Sequence, residues 1–284
     1  MRNTRRRWSQ PPVRSWLVIL PAILLLTVAA IKVGDRSPRQ ELRDFILGEA
    51  PSGQRVRGPR REDFVLNGQG VVIATPDRES SRAVLFLHGS GQNSRSLFVD
   101  PVRKPVADAL LTAGFAVAAS DANLDNWGSQ GGVAAHLDLA AELRRRKYSE
   151  FYVVAESMGG LALPAVAAGV NAKAAVAWYP VCDIGSVIRT GRFNQSIASA
   201  YGGSLQPPAG LSPVTFAQQP TLRLAIWASD QDTVVPKAEN ADVCASQARV
   251  AGVQVTQVAT AGEHGDPGNI QPANLVEFFS SGPG

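Results

Sequence analysis

Two cysteines and three histidines are all that 284 residues offer of the side chains on which most metal sites and disulfide scaffolds depend. Cys182 and Cys244 cannot make a disulfide framework or a cysteine-rich zinc site. H-E-x-x-H is absent, and so is a P-loop G-K-[ST]. Gly89 and Gly91 follow a strand-like run, but the third small position of a dinucleotide fingerprint falls on Ser94. No cofactor and no metal are therefore expected. A solenoid-length repeat is also missing. Acids are wanting in one place only: residues 1–32 hold six of the 28 cations and no Asp or Glu. The remaining 22 cations face 24 acids, a net charge of −2. A nucleic-acid binder keeps its positive charge on the folded domain, so nucleic acid is not an expected partner. With 45% hydrophobic and 18% charged residues, the chain is not a disordered polar one.

What is present begins with an address. Behind Arg2, Arg5, Arg6, Arg7 and Arg14, the run Trp16–Ile31 is apolar apart from Pro21 and Thr27. A cationic start before an apolar run directs the following chain across a membrane. The run is short against the roughly 20 residues of a full span, and Lys32 and Val33 bring it near the lower limit. Residues 1–33 thus fit a cleaved signal peptide or an uncleaved signal anchor. The expected location is membrane-anchored and facing out of the cytoplasm, or secreted. Residues 34–61 read as a spacer, with a short capped helix start at Ser37-Pro38 and a Gly/Pro/Arg-rich stretch from Pro51 to Arg61. The folded domain is expected over residues 62–284.

From Glu62 onward, apolar runs alternate with helical patterns. Strands are expected at Phe64–Leu66, Val71–Ala74, Ala83–Leu87, Phe115–Ala119, Phe151–Ala155, Ala174–Trp178, Leu222–Ala228 and Val253–Ala259. Asn67-Gly68 between the first two signals a hairpin. Helices are expected at Val106–Thr112, Val133–Arg146, Leu161–Ala168, Asn240–Ala251 and Pro272–Phe279. Strands this apolar, alternating with helices, imply an α/β fold with a mostly parallel, doubly wound sheet. Ligands bind beyond the carboxyl ends of such strands.

Three strand ends carry chemistry. Ala155-Glu156-Ser157-Met158-Gly159 sits where a strand turns into a helix, the setting of a nucleophile elbow with Ala155 replacing the first glycine. An ordinary helix N-cap is the bland reading of Ser157. Of the three histidines, His88 ends an earlier strand and His136 falls within a helix, where a surface or half-buried structural role is expected. His264 lies in a glycine-flanked loop after the last strand and is the candidate base. The carboxylate that would hold it is Asp232, with Asp230 as second choice; either also fits a turn or cap role.

The order Ser157, Asp232, His264, with His88-Gly89, Asp232-x-x-Val235-Pro236 and His264-Gly265, resembles the α/β-hydrolase family from about Phe64 to Phe279. The resemblance implies a serine hydrolase, a carboxylesterase or lipase-like enzyme acting on a small-molecule or lipid ester. It implies an oxyanion hole from the backbone N–H groups of Ser90 and Met158, and a small cap or lid over residues 183–219. Within that cap Phe193, Ile197 and Tyr201 recur at helical spacing. An acyltransferase with the same three residues, or a non-catalytic binding protein on the same fold, are the rival readings. The stretch Asp121–Gly128 fits either a pocket lining or a structural turn. Cys182 and Cys244 follow neighbouring strands of this fold, so they are either paired or two buried thiols, with pairing favoured in an oxidising compartment.

Overall fold

The computed structural model describes residues 58–206 and 208–282. The cationic and apolar segment of residues 1–33, and the spacer up to residue 57, lie outside the described residues. Among the described residues no helix is long and apolar enough to cross a membrane.

Eight strands form one sheet: β1 (Arg60–Leu66), β2 (Gln69–Thr75), β3 (Arg82–Leu87), β4 (Ala116–Ser120), β5 (Glu150–Glu156), β6 (Ala174–Trp178), β7 (Arg223–Ala228) and β8 (Gln254–Ala259). Their spatial order is β1-β2-β4-β3-β5-β6-β7-β8. β1 and β2 run antiparallel to their neighbours; all other pairs are parallel. The doubly wound sheet is thus the expected one, with every anticipated strand in place. β1 begins at Arg60, ahead of the expected start of the domain at Glu62. Asn67 and Gly68 both take positive φ (49° and 80°), as the tight turn between two antiparallel strands requires.

The helices are α1 (Ser96–Val99), α2 (Lys104–Thr112), α3 (Gln130–Arg145), α4 (Leu163–Val170), α5 (Ile184–Thr190), α6 (Asn194–Ala200), α7 (Ala241–Val250) and α8 (Pro272–Ser280). Each α/β crossover buries an apolar stripe. Leu139, Ala140 and Leu143 of α3, Val166 and Ala167 of α4, and Ala245 and Ala248 of α7 share one core with one face of the sheet. Val106 and Leu110 of α2 join Leu275 and Phe279 of α8 against the other face. Burying each such Leu or Phe contributes about 1.5–3 kcal/mol. The central strands are covered on both sides, which is why they read as continuous apolar runs.

Residues 183–219, expected as a small cap, supply α5 and α6 and then an irregular stretch. Ile184, Val187 and Ile197 root this segment in the core. Its outer end is pinned to the β4–α3 loop: Trp127 Nε1 donates to Ser196 Oγ at 2.8 Å, and Tyr201 Oη donates to the Trp127 carbonyl at 2.5 Å. Cys182 and Cys244 are joined, their Cα atoms 5.3 Å apart, so a disulfide ties the base of the cap to α7.

Candidate active site

β5 ends in a sharp turn into a short 3₁₀ helix, Ser157–Leu161, that leads to α4. Ser157 sits at the bend with φ of 49°, a left-handed conformation that costs a non-glycine residue of order 1–3 kcal/mol. Gly159 permits the bend, because a Cβ there would stand 2.2 Å from the Leu87 carbonyl at the end of β3. The Ala155 position, buried in β5, accommodates the methyl group that replaces the usual first glycine.

The structure brings the three expected side chains together. Ser157 Oγ lies 2.9 Å from His264 Nε2, and His264 Nδ1 lies 2.7 Å from Asp232 Oδ2. Asp232 is 5% exposed, and its other oxygen accepts the backbone N–H groups of Val234 and Val235 at 2.9 and 2.8 Å. With those donors satisfied, Asp232 keeps one oxygen for the imidazole. Asp230 plays no such part: its side chain is 86% exposed and stands 3.3 Å from Lys237 Nζ. The His264 loop is fastened from three sides. Glu263 accepts from the backbone and hydroxyl of Thr233, Gly262 donates to Gln231, and buried Asn269 donates to the Glu263 carbonyl.

The His88–Gly91 turn lies against the elbow: a Cβ on Gly89 would sit 3.4 Å from that of Ser157. Among the described residues, neither the Ser90 nor the Met158 backbone N–H donates to another protein group. Both remain available to an oxygen anion. Asp125, in the β4–α3 loop, accepts from Ser90 Oγ at 2.9 Å and from the Gly91 N–H at 2.7 Å, and so clamps this turn. His88 has its two ring nitrogens 2.8 and 3.0 Å from the Gly89 and Asp121 carbonyls and is engaged structurally.

Two features depart from the sequence reading. His136 is not at the surface but 1% exposed, with no partner for its Nδ1. Burial, and to a lesser degree repulsion from His88, lower its pKa to about 3, so it is held as neutral imidazole. The second feature is a buried charge network that no motif in the sequence marks. Glu156, next to Ser157, is 1% exposed and accepts from Gln92 Nε2 at 2.7 Å, Arg103 Nε at 2.7 Å and Tyr179 Oη at 2.9 Å, with Arg103 Nη2 as a further donor. Burial acts to lower the Arg103 pKa, but the bonds and attraction to Glu156 outweigh it and raise the guanidinium above its ordinary value. Burial, then the neighbouring carboxylate, keep the Tyr179 phenol strongly raised and therefore protonated. Gln92 also accepts from the Gly89 N–H at 3.3 Å, and the edge of the Tyr179 ring meets His264 with centroids 4.6 Å apart. An acid closing an otherwise apolar strand was the available signal, since such a group needs a buried partner.

Among the described residues no group of three or more His, Cys, Asp or Glu side chains is placed to hold a metal ion.

Comparison with known proteins agrees with this geometry at the level of fold. No family model matches the sequence. A search of curated proteins likewise finds no match. Solved structures do resemble it. An esterase/lipase from an uncultured bacterium is 17% identical, with a TM-score of 0.61 over 88% of this chain and 93% of its own. An esterase of the bacterial hormone-sensitive lipase family is 19% identical, with a TM-score of 0.56 over 87% and 92%. Est1E from Butyrivibrio proteoclasticus is 14% identical, with a TM-score of 0.55 over 77% and 95%. The chain has the α/β-hydrolase fold.

Proposed function

We infer that the protein is a serine hydrolase of carboxylic esters, a carboxylesterase or lipase-like enzyme. The observation that carries this reading is the unbroken hydrogen-bond chain from Ser157 through His264 to Asp232, with the serine on a strained strand-to-helix turn. Esterases and lipases among the structures of the same fold support it.

In this reading Ser157 Oγ attacks the ester carbonyl carbon while His264 Nε2 takes the hydroxyl proton. Asp232 holds the tautomer that leaves Nε2 free and stabilises the imidazolium. The carbonyl oxygen gains negative charge and is met by the Ser90 and Met158 N–H groups; losing one such donor typically costs about 10²–10³ in rate. Collapse breaks the carbon–oxygen bond, and the leaving alkoxide takes the proton from His264. Water then attacks the acyl-enzyme, with His264 as base, and releases the carboxylic acid and the free serine. The Trp16–Ile31 segment behind its arginines supports export or anchoring, and a Cys182–Cys244 bridge suits an oxidising compartment.

The test is Ser157→Ala. It is expected to abolish both p-nitrophenyl acetate hydrolysis and labelling by a fluorophosphonate, with cooperative melting retained. Undiminished labelling in the variant would move the nucleophile elsewhere and end this mechanism.

A further inference from the structure

A cavity of about 790 Å³ opens beside Ser90, between the β4–α3 loop and the cap. Its cap wall is one helical stripe. Arg192, Gln195, Ser196 and Ser199 recur at helical spacing along α6 and its approach, and all four line the cavity. Ser196 is engaged by Trp127, but Arg192, Gln195 and Ser199 make no side-chain hydrogen bond to protein groups among the described residues. These three side chains are exposed on the cavity wall, the Arg192 guanidinium lying 5.9 Å from the centroid of the Phe193 ring.

The opposite wall is held still. Asn123 exchanges two hydrogen bonds of 2.7 Å with Gln69, leaving its Nδ2 unused, and Asp125 is occupied by Ser90 and Gly91. The loop carrying them has positive φ at Ala122, Asn123, Leu124 and Trp127, a concentration of strain that packing must hold in place. Leu124 and Ala200 are the aliphatic residues among a lining otherwise made of polar side chains and Phe193. Phe193 provides one flat apolar surface, backed by Trp127 with ring centroids 5.2 Å apart.

An alkyl chain laid here would strip water from amides, hydroxyls and a guanidinium and return no hydrogen bonds. A polyhydroxylated group would exchange its water for Arg192, Gln195, Ser199 and Asn123, while a ring's C–H face rests on Phe193. We propose that this cavity binds the alcohol half of the ester and that this half is polyhydroxylated, so the preferred substrates are esters of sugars or polyols. The proposal rests on the hydrolase reading above, because the cavity adjoins the turn that supplies the Ser90 donor.

The experiment uses three acetyl esters with the full chain: p-nitrophenyl acetate, methyl 6-O-acetylglucoside and hexyl acetate. The glucoside is expected to exceed hexyl acetate in kcat/KM by about tenfold or more, the discrimination that one net hydrogen bond provides. Free methyl glucoside should compete with p-nitrophenyl acetate, and free hexanol should compete less. Gln195→Leu combined with Ser199→Leu should raise KM for the glucoside and bring the ratio of the two acetates towards unity. Turnover of p-nitrophenyl acetate with hexyl acetate preferred would overturn this proposal and leave the hydrolase reading standing. A ratio unmoved by the double substitution would also overturn it. Absence of turnover with all three esters would overturn the hydrolase reading and this proposal together.

Discussion

Replacing Arg103 with methionine removes the cation that faces the Glu156 carboxylate while keeping much of the side-chain volume. In the native protein the Glu156 side chain is 2% exposed and that of Arg103 13%, so neither charge has solvent to fall back on. Removing one member of a buried ion pair leaves the other uncompensated and costs about 3–5 kcal/mol. In a domain of this size each kcal/mol lowers the melting temperature by about 2–4 °C. Arg103→Met should therefore melt about 6–20 °C below the parent, measured by far-ultraviolet circular dichroism at fixed pH. Adding Glu156→Gln removes the stranded charge, and the amide oxygen still accepts from Gln92 and Tyr179. The double variant should recover most of the loss. A drop of under about 1 kcal/mol in the single variant, or a double variant no more stable than the single, would refute the assignment of Glu156 as an anion held by Arg103.

The remaining predictions concern the two aspartates, His136 and the disulfide. Asp232→Asn should lower kcat by up to about 10⁴, and Asp230→Asn should leave it near the parent; steady-state kinetics on p-nitrophenyl acetate that rank them in reverse would transfer the role to Asp230. His136 is lowered from 6.5 to about 3 in the fold, so the unfolded chain binds the extra proton first. Its contribution is complete above about pH 6.5 and lost as pH falls towards 3, at about 1.4 kcal/mol per pH unit. His136→Leu should flatten the acid side of the stability curve between these values, and urea titrations at several pH values that show an unchanged slope would contradict this. The Cys182–Cys244 bridge spans 62 residues, and chain entropy gives it about 4 kcal/mol. Reduction should lower urea stability by about that amount, and peptide mapping that finds two free thiols in oxidised protein would dismiss the bridge.

Much of the fold was legible because its physics is local. Val84 to Leu87, Val153 to Ala155 and Ala174 to Trp178 are buried on both faces, so each is an apolar run bounded by turn residues. Ser157 and His264 were legible because their neighbours, Gly159 on one side and the glycines around His264 on the other, are needed for the turns that carry them. Asp232 over Asp230 was not decided by the sequence, since both follow β7 and only the three-dimensional turn separates a 2% from an 86% exposed side chain. His136 was misjudged from the choice of helix face. The buried stripe of α3 passes through His136, Leu139, Ala140 and Leu143, with the imidazole three and four positions before apolar neighbours, whereas Leu137 lies only partly buried. Gln92, Arg103 and Tyr179 come from separate segments with no shared motif. Only Glu156, charged at the end of an apolar strand, gave notice that partners were needed.

That charge is not explained by stability alone, because a buried ion pair can often be exchanged for neutral side chains without loss. Its geometry suggests a different use. Glu156 is adjacent in sequence to Ser157, and each of its neutral partners reaches a second part of the site: Gln92 holds the Gly89 N–H of the His88–Gly91 turn, and Tyr179 abuts the His264 ring. Tyr179 itself takes a positive φ of 36°, a strained conformation for a bulky residue at the end of β6. One carboxylate thus fixes the spacing between Ser157, the His88–Gly91 turn and His264, and in the proposed mechanism a misplacement of about 1 Å there would cost about 10² in rate. Comparing Glu156→Gln with Glu156→Leu, each combined with Arg103→Met, separates the two roles, because both remove the charge and only leucine also removes the oxygen that holds Gln92 and Tyr179. If the carboxylate serves positioning, fluorophosphonate labelling of the leucine variant is at least about tenfold slower than that of the glutamine variant. Equal labelling of the two would reduce the network to a structural one.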